Sequence, residues 1–105
     1  MIMKKTKKSA SYEEYLIESL KDPEDAAGYL SAALEEGDIK SFLLALYHVI
    51  QAQGGVAMVA KKSRKSRTSL YKALSEEGNP YLKSTSEILH AIGFHLCVEQ
   101  DRTSL

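Results

Sequence analysis

Cysteine is nearly absent from this chain of 105 residues, which has only Cys97. A single cysteine cannot form a disulfide within the chain. Two prolines and six glycines are too few for a collagen-like or low-complexity protein. The longest uninterrupted apolar run, residues 42–47, has six residues, whereas a membrane-spanning helix needs about 20. The basic first ten residues are followed by no apolar stretch of the kind that export requires, so the sequence predicts a cytoplasmic protein.

The composition is that of a single folded domain. Hydrophobic residues make up 44% of the chain and charged residues 27%, which are ordinary values for a globular protein and argue against intrinsic disorder. A chain of this length folds as one domain that buries roughly two thirds of the surface exposed when it is unfolded. We expect that domain over residues 11–105, preceded by a flexible basic arm over residues 1–10.

Charge is segregated along the chain, although 14 basic and 14 acidic residues cancel overall. Residues 1–10 have a net charge of +4, and residues 11–60 have a net charge of −7. Residues 61–72 contain six basic residues and no acid. Because cations at this density repel one another, the segment favours an anionic partner. A solvated helix face would give the same pattern and is the alternative interpretation.

Apolar residues three and four positions apart predict an all-α fold of five to six helices. Asp22 and Asp38 are placed to cap the second and third helices, and Pro23 suits a first helical position. Gly37 can end the second helix, because glycine adopts the left-handed conformation without penalty. The residues expected to face the core in the first three helices are Tyr12, Tyr15, Leu16, Leu20, Ala26, Tyr29, Leu30, Ala33, Leu34, Ile39, Phe42, Leu43, Ala45, Leu46, Tyr47, Val49 and Ile50.

The second half of the chain predicts shorter helices. VAMVAKK provides about two turns after Gly54 and Gly55, and Ser66 is placed to cap the next helix. Asn79 and Pro80 form a loop, after which either Ser84 or Thr85 is expected to cap the last helix, which Gly93 ends. The inward positions of these helices are Leu70, Ala73, Leu74, Ile88, Leu89 and Ile92.

The C-terminal segment FHLCVEQ alternates between two faces. Phe94, Leu96 and Val98 point one way, and this period of two predicts a short β-strand. A lone strand leaves unpaired backbone edges, and its natural mate is the same strand of a second copy. We therefore expect a homodimer formed through Phe94 to Glu99.

The fourth and fifth predicted helices have the form of a DNA-binding helix-turn-helix. The turn between them has three or four residues, and the second helix begins with hydroxyl and cationic side chains. Ala60 is small where the two helices would cross, and Leu70 would pack beneath that crossing. Useful specificity would need a dimer on two half-sites about 34–36 Å apart, which again favours a homodimer.

Two blocks of sequence point to a family. They are SRTSLYKALSEEGNP, from Ser66 to Pro80, and EEGD, from Glu35 to Asp38. With these blocks, residues 12–99 resemble the addiction-module antidote proteins, a HigA-like family of antitoxins. The resemblance implies a lambda-repressor-like helix-turn-helix, a small RelE/ParE-like toxin encoded beside the chain, and repression of the shared operon. The sequence departs from the family at Arg64, where glycine is usual, and at Lys65, where an apolar residue is usual.

The residues expected to bind operator DNA lie around the predicted turn. Arg67 is the first candidate for a base contact, because its guanidinium can donate two hydrogen bonds to guanine. Ser66 is expected to act as a helix cap rather than a DNA ligand. The full set is Lys61, Lys62, Arg64, Lys65, Ser66, Arg67, Thr68, Ser69, Tyr71 and Lys72, most of which we expect to contact phosphate.

The acidic half of the chain is the candidate surface for a basic toxin. The residues assigned to it are Glu13, Glu14, Glu18, Asp22, Glu24 and Asp25. These acids would also be explained by solvation of helix faces and by favourable placement near helix starts.

Catalysis is not indicated. His48, His90 and His95 have neither HExxH spacing nor cysteine partners, so we expect no metal site and no cofactor. No nucleophile with a placed base and no phosphate-binding glycine loop is present in the sequence. Two alternatives to an antitoxin remain: a prophage transcriptional regulator without a toxin, and a protein-interaction module that binds no DNA.

Overall fold

The computed structural model describes residues 12–75 and 81–101. Within these ranges the chain forms six helices and no strand. They are α1 (residues 12–19), α2 (Pro23–Glu36), α3 (Ile39–Ala52), α4 (Val56–Ser63), α5 (Arg67–Leu74) and α6 (Leu82–Ala91). The predicted all-α class is confirmed for the described ranges. The basic arm over residues 1–10 and the loop at Asn79 and Pro80 lie outside the described residues.

Helix boundaries in the first half follow the capping residues. The Asp22 carboxylate accepts from the backbone N–H of Glu24 at 2.8 Å, and Pro23 occupies the first position of α2. Gly37 ends α2 in the left-handed conformation with φ of 76°. Asp38 then caps α3 by accepting from the N–H of Lys40 at 3.1 Å. These four predictions are confirmed.

Helix α3 is the centre of the core and contacts α2, α4 and α5. Its buried face includes Val49 and Ile50, both with 0% exposure. The Gln53 side chain, just beyond α3, donates to the carbonyl of Leu20 at 3.0 Å and so ties the end of α1 to the core. The predicted core residues that are buried are Leu20, Ala26, Leu30, Phe42, Leu43, Ala45, Leu46, Val49, Ile50, Leu70, Ile88, Leu89 and Ile92.

The predicted apolar stripes were too wide at their edges. Tyr12 and Tyr15 are 63% and 71% exposed rather than buried. The inward side of this segment is narrow and is formed by Leu16 in α1 and by Leu20 just after it. Tyr15 lies about 100° around the helix from Leu16. Two further predicted core residues, Leu34 at the end of α2 and Ile39 at the start of α3, are also exposed.

The C-terminal strand prediction was wrong for the described chain. Residues 94–100 form no strand. The N–H of Phe94 donates to the carbonyl of Leu89 at 2.9 Å, and Phe94 and Leu96 pack partly buried against the core. Val98 is almost wholly exposed. Alternation sorts side chains into two faces, but a strand also needs a partner backbone, and the described residues provide none.

The start of α6 also differs from the prediction. The helix begins at Leu82, and its N-cap residue Tyr81 provides no capping hydrogen bond from its side chain. The carbonyl of Tyr81 accepts from the N–H of Thr85 at 3.0 Å, and Thr85 is buried within the helix rather than capping it. The burial of Thr85 in the first turn of α6 therefore outweighs the preference of Ser84 and Thr85 for a capping position.

Among the described residues, no single helix combines the length and apolar character needed to cross a membrane. The bent pair formed by α3 and α4, with 95° between the two helices, meets that test on length and composition alone.

A polar network joins the first three helices. The Tyr29 hydroxyl lies 2.9 Å from Nδ1 of His48, and Nε2 of His48 lies 3.5 Å from Oε2 of Glu13. His48 is only 8% exposed. A neutral imidazole protonated at Nε2 satisfies both neighbours, because Tyr29 then donates to Nδ1 and the Nε2–H faces Glu13. Burial, and secondarily the charge of Tyr12, raises the pKa of Tyr29 above its ordinary value.

The raised pKa of Tyr29 predicts a loss of stability in alkali. A tyrosine with a higher pKa in the folded state contributes stability that is complete below the unfolded pKa of about 10 and is lost as the pH rises through the folded value. Tyr29→Phe should cost about 1 kcal/mol near neutral pH by removing the hydrogen bond to His48. Urea unfolding of both proteins at about pH 8 and about pH 11 should show the difference shrinking. A difference that is constant across pH would contradict the account.

Candidate nucleic-acid interface

Helices α4 and α5 form a hairpin joined by the three residues 64–66. The hairpin is held by apolar side chains: Val59 and Leu70 have 0% exposure, and Ala60 has 8%. Helix α5 also contacts α3, and α4 contacts α6. Both residues of the predicted crossing, Ala60 and Leu70, are therefore in the core, as expected.

The connection keeps a left-handed turn despite its unusual residue. Arg64 has φ of 62° and ψ of 25°, and it is the only non-glycine residue with positive φ among the described residues. Its N–H and that of Lys65 both donate to the carbonyl of Ala60, the second at 3.1 Å. The Lys65 bond is the one that closes a Schellman helix end, and the Arg64 bond is that of the simpler αL motif; both kinds of helix end usually take glycine. The turn therefore carries the strain of a side chain in the left-handed region.

Ser66 caps α5, as predicted. Its Oγ accepts from the backbone N–H of Ser69 at 3.0 Å, and its hydroxyl donates to Oγ of Ser69 at 3.1 Å. The capped start fixes the first turn of α5, where the predicted base-contacting residue Arg67 stands.

The outward side chains of α5 include the polar residues predicted for it. Leu70 is fully buried, whereas Tyr71 is 54% exposed. Thr68 and Lys72 lie about 160° around the helix from Leu70, on the opposite face. All of the predicted α5 positions, Arg67, Thr68, Ser69, Tyr71 and Lys72, are exposed.

The predicted phosphate-binding cations divide into two groups. Lys61, Lys62 and Arg64 are exposed. Lys65 is only 22% exposed at its side chain, and its Nζ lies 2.8 Å from Oε1 of Glu87 on α6. The hydrogen bond from Lys65, with smaller contributions from the charges of Lys65 and Lys83, lowers the pKa of Glu87. Sequence reasoning missed Glu87, because 22 positions separate it from Lys65 and no helical spacing links the two.

The six acids predicted to meet a toxin are all exposed, and three of them have local roles. Asp22 caps α2, Glu18 pairs with Lys21 at 2.9 Å, and Glu13 faces His48. The side chains of Glu14, Glu24 and Asp25 make no ion pair within the described part of the chain. In residues 12–75 and 81–101, no group of three or more histidine, cysteine, aspartate or glutamate side chains is arranged to hold a metal ion.

Residues 11–100 match a family model described as "Probable addiction module antidote protein". The chain belongs to this antidote family. A relative from Haemophilus influenzae, which bears the name "Uncharacterized protein", is 33% identical over 85 residues, spanning 81% of this chain and 87% of the relative. No solved structure matches the chain. Membership in an antidote family implies a toxin as the general partner of this chain.

The strain at Arg64 predicts that glycine stabilises the antidote. Arg64→Gly should raise the free energy of unfolding by about 1 kcal/mol, because glycine has no Cβ penalty in the left-handed region. For a domain of this size the thermal midpoint should rise by about 4–8 °C.

The matched control is Lys62→Gly, two residues away within α4, which should lower stability by about 1 kcal/mol. Differential scanning calorimetry compares the three proteins. An unchanged or lower midpoint for Arg64→Gly would mean that the turn is not strained.

Proposed function

We propose that the chain is a HigA-like, DNA-binding antitoxin of a type II toxin-antitoxin system. It neutralises a RelE/ParE-like toxin in the cytoplasm and represses its own operon as a homodimer. The observation that carries the DNA-binding part is the outward set of polar and cationic side chains on α5, held by the fully buried Leu70. Family membership supports the toxin-neutralising part.

In this proposal the α4–α5 hairpin acts as a helix-turn-helix. Helix α5 enters the major groove, where the start of a recognition helix contacts base edges. Arg67 is the first residue of α5 and is exposed, which suits a bidentate contact to guanine O6 and N7. Thr68 and Lys72, opposite Leu70, would face the duplex along the same helix.

The exposed cations beside α5 supply attraction that is independent of sequence. Lys61, Lys62, Arg64 and Lys72 are assigned to phosphate contacts. Each phosphate neutralised releases counterions, so affinity should fall steeply with salt. Arg64 then has a functional reason to occupy a strained position, because it adds a cation where glycine would add none.

Dimerisation is expected because α5, the proposed recognition helix, is short. One α5 reads only a few base pairs, and two half-sites about 34–36 Å apart require two copies. The described residues form no C-terminal strand that could pair two copies, so the homodimer is proposed without an assigned interface.

The acidic surface formed by α1 and the start of α2 is assigned to the toxin. Ribonuclease-type toxins bind RNA phosphates through basic surfaces, and such a surface would be attracted to exposed carboxylates. Glu14, Glu24 and Asp25 are the most available members, since no ion pair within the described ranges engages them.

Arg67→Ala tests the DNA-reading assignment. The variant should bind a duplex of its own promoter about 5- to 150-fold more weakly, because a bidentate guanine contact contributes about 1–3 kcal/mol. Its thermal midpoint should be nearly unchanged, since Arg67 is exposed. Fluorescence anisotropy gives the affinity, and Lys40→Ala, an exposed cation at the start of α3, is the control. Equal affinity of Arg67→Ala and the wild type would remove Arg67 from the interface.

Charge reversal tests the toxin surface. A variant with Glu14, Glu24 and Asp25 all changed to lysine should lose capture of the protein encoded by the neighbouring reading frame in a pull-down. The reversal at Glu24 and Asp25 should also cost about 0.3–1 kcal/mol each at the start of α2, so folding is checked by circular dichroism. Glu35 and Glu36, exposed at the end of α2, changed together to lysine form the control, which should keep capture. Unchanged capture by the triple variant would count against this surface.

A further inference from the structure

Lys65 differs from the other basic residues of the segment 61–72. Its Nζ lies 2.8 Å from Oε1 of Glu87, and its side chain is only 22% exposed. The other five cations, Lys61, Lys62, Arg64, Arg67 and Lys72, are exposed and make no ion pair within residues 12–75 and 81–101.

The backbone of Lys65 is fixed as well as its side chain. Its N–H donates to the carbonyl of Ala60 at the end of α4. The ammonium group is therefore held over α6, and it would have to leave Glu87 before it could reach a phosphate. The charged groups facing Glu87 are Lys65 and Lys83, and both favour its ionised form.

We propose that Glu87 is a positioning residue for DNA binding, which holds Lys65 against α6 and so withdraws one cation from the surface that meets DNA phosphates. This inference rests on the proposed DNA binding and deepens it. It assigns Lys65 to the support of the α4–α5 turn, and it gives α6 a part in setting the strength of electrostatic binding.

The number of phosphate contacts can be measured from the salt dependence of DNA affinity, so the withdrawal of Lys65 from the DNA-binding surface can be tested. Each contact contributes about −0.9 to the slope of log affinity against log salt concentration. DNA of unrelated sequence is the right probe, since it is bound through phosphates without base contacts. The experiment therefore does not require the operator.

The experiment compares Glu87→Gln, Lys65→Met, the double variant, and Lys62→Met with the wild type. Anisotropy of a short labelled duplex of arbitrary sequence is followed between about 50 and 200 mM salt. Glu87→Gln preserves the shape of the side chain and removes its charge. Lys62→Met is the matched control, because Lys62 is an exposed lysine three positions away with no ion pair in the described chain.

Release of Lys65 should make the slope of Glu87→Gln steeper by about 0.9, which is about 3.5-fold more loss of affinity across that range. The slopes of Lys65→Met and of the double variant should match the wild type, and the slope of Lys62→Met should be shallower by about 0.9. The double variant separates the release of Lys65 from any effect of Glu87 on Lys83.

A different pattern would overturn the inference. If the salt slope of Lys65→Met is as shallow as that of Lys62→Met, Lys65 contacts phosphate directly. The proposed DNA binding then stands without a role for Glu87. A slope of Glu87→Gln equal to the wild type overturns the inference in the same way. If Glu87→Gln does not fold, the salt slope of Lys65→Met alone tests the inference: a slope equal to the wild type supports it, and a shallower slope overturns it. If the wild type shows no salt-dependent binding to any duplex, DNA binding itself fails and this inference fails with it.

Discussion

The burial of Leu70 is the constraint on which the rest of the hairpin depends. Because a helix turns about 100° per residue, fixing one side chain in the core fixes the direction of all the others on α5. Leu70 has no exposed surface, and the half-buried Ala73 and Leu74 extend the same face. The opposite face is left with Thr68 and Lys72, and the start of the helix with Arg67. A small apolar contact thus determines which polar groups are presented to a partner.

The turn before α5 shows how a charged surface and stability compete. Arg64 occupies a conformation that suits glycine, so the backbone of the turn is strained there. The neighbouring Lys65 forms an ion pair with Glu87 on α6. Both residues add positive charge to one hairpin, but only Arg64 presents that charge to solvent. The number of basic residues in a sequence therefore overstates the number available to an anionic ligand.

Local chemistry explains most of what the sequence predicted correctly. The caps at Asp22, Asp38 and Ser66 involve residues two or three positions apart, so their effect is visible in the sequence itself. The predictions that failed depended on distant parts of the chain. The exposure of Tyr15 depends on how α1 packs against the other helices. The predicted strand is missing because the described residues provide no partner backbone. The pair between Lys65 and Glu87 needed the packing of α4 and α6, which periodicity does not provide.

The two charged faces of the fold give the antidote two candidate surfaces, an acidic one on α1 and α2 and a basic one on the α4–α5 hairpin. The most direct measurement of the central claim is a titration of the isotope-labelled protein with its own promoter duplex, followed by amide chemical shifts in NMR. If the α4–α5 hairpin binds DNA, the largest shifts should fall on the amides of residues 61–72, and the amides of α1 and α2 should shift little. Shifts concentrated on α1 and α2, or no shifts at all, would contradict that claim.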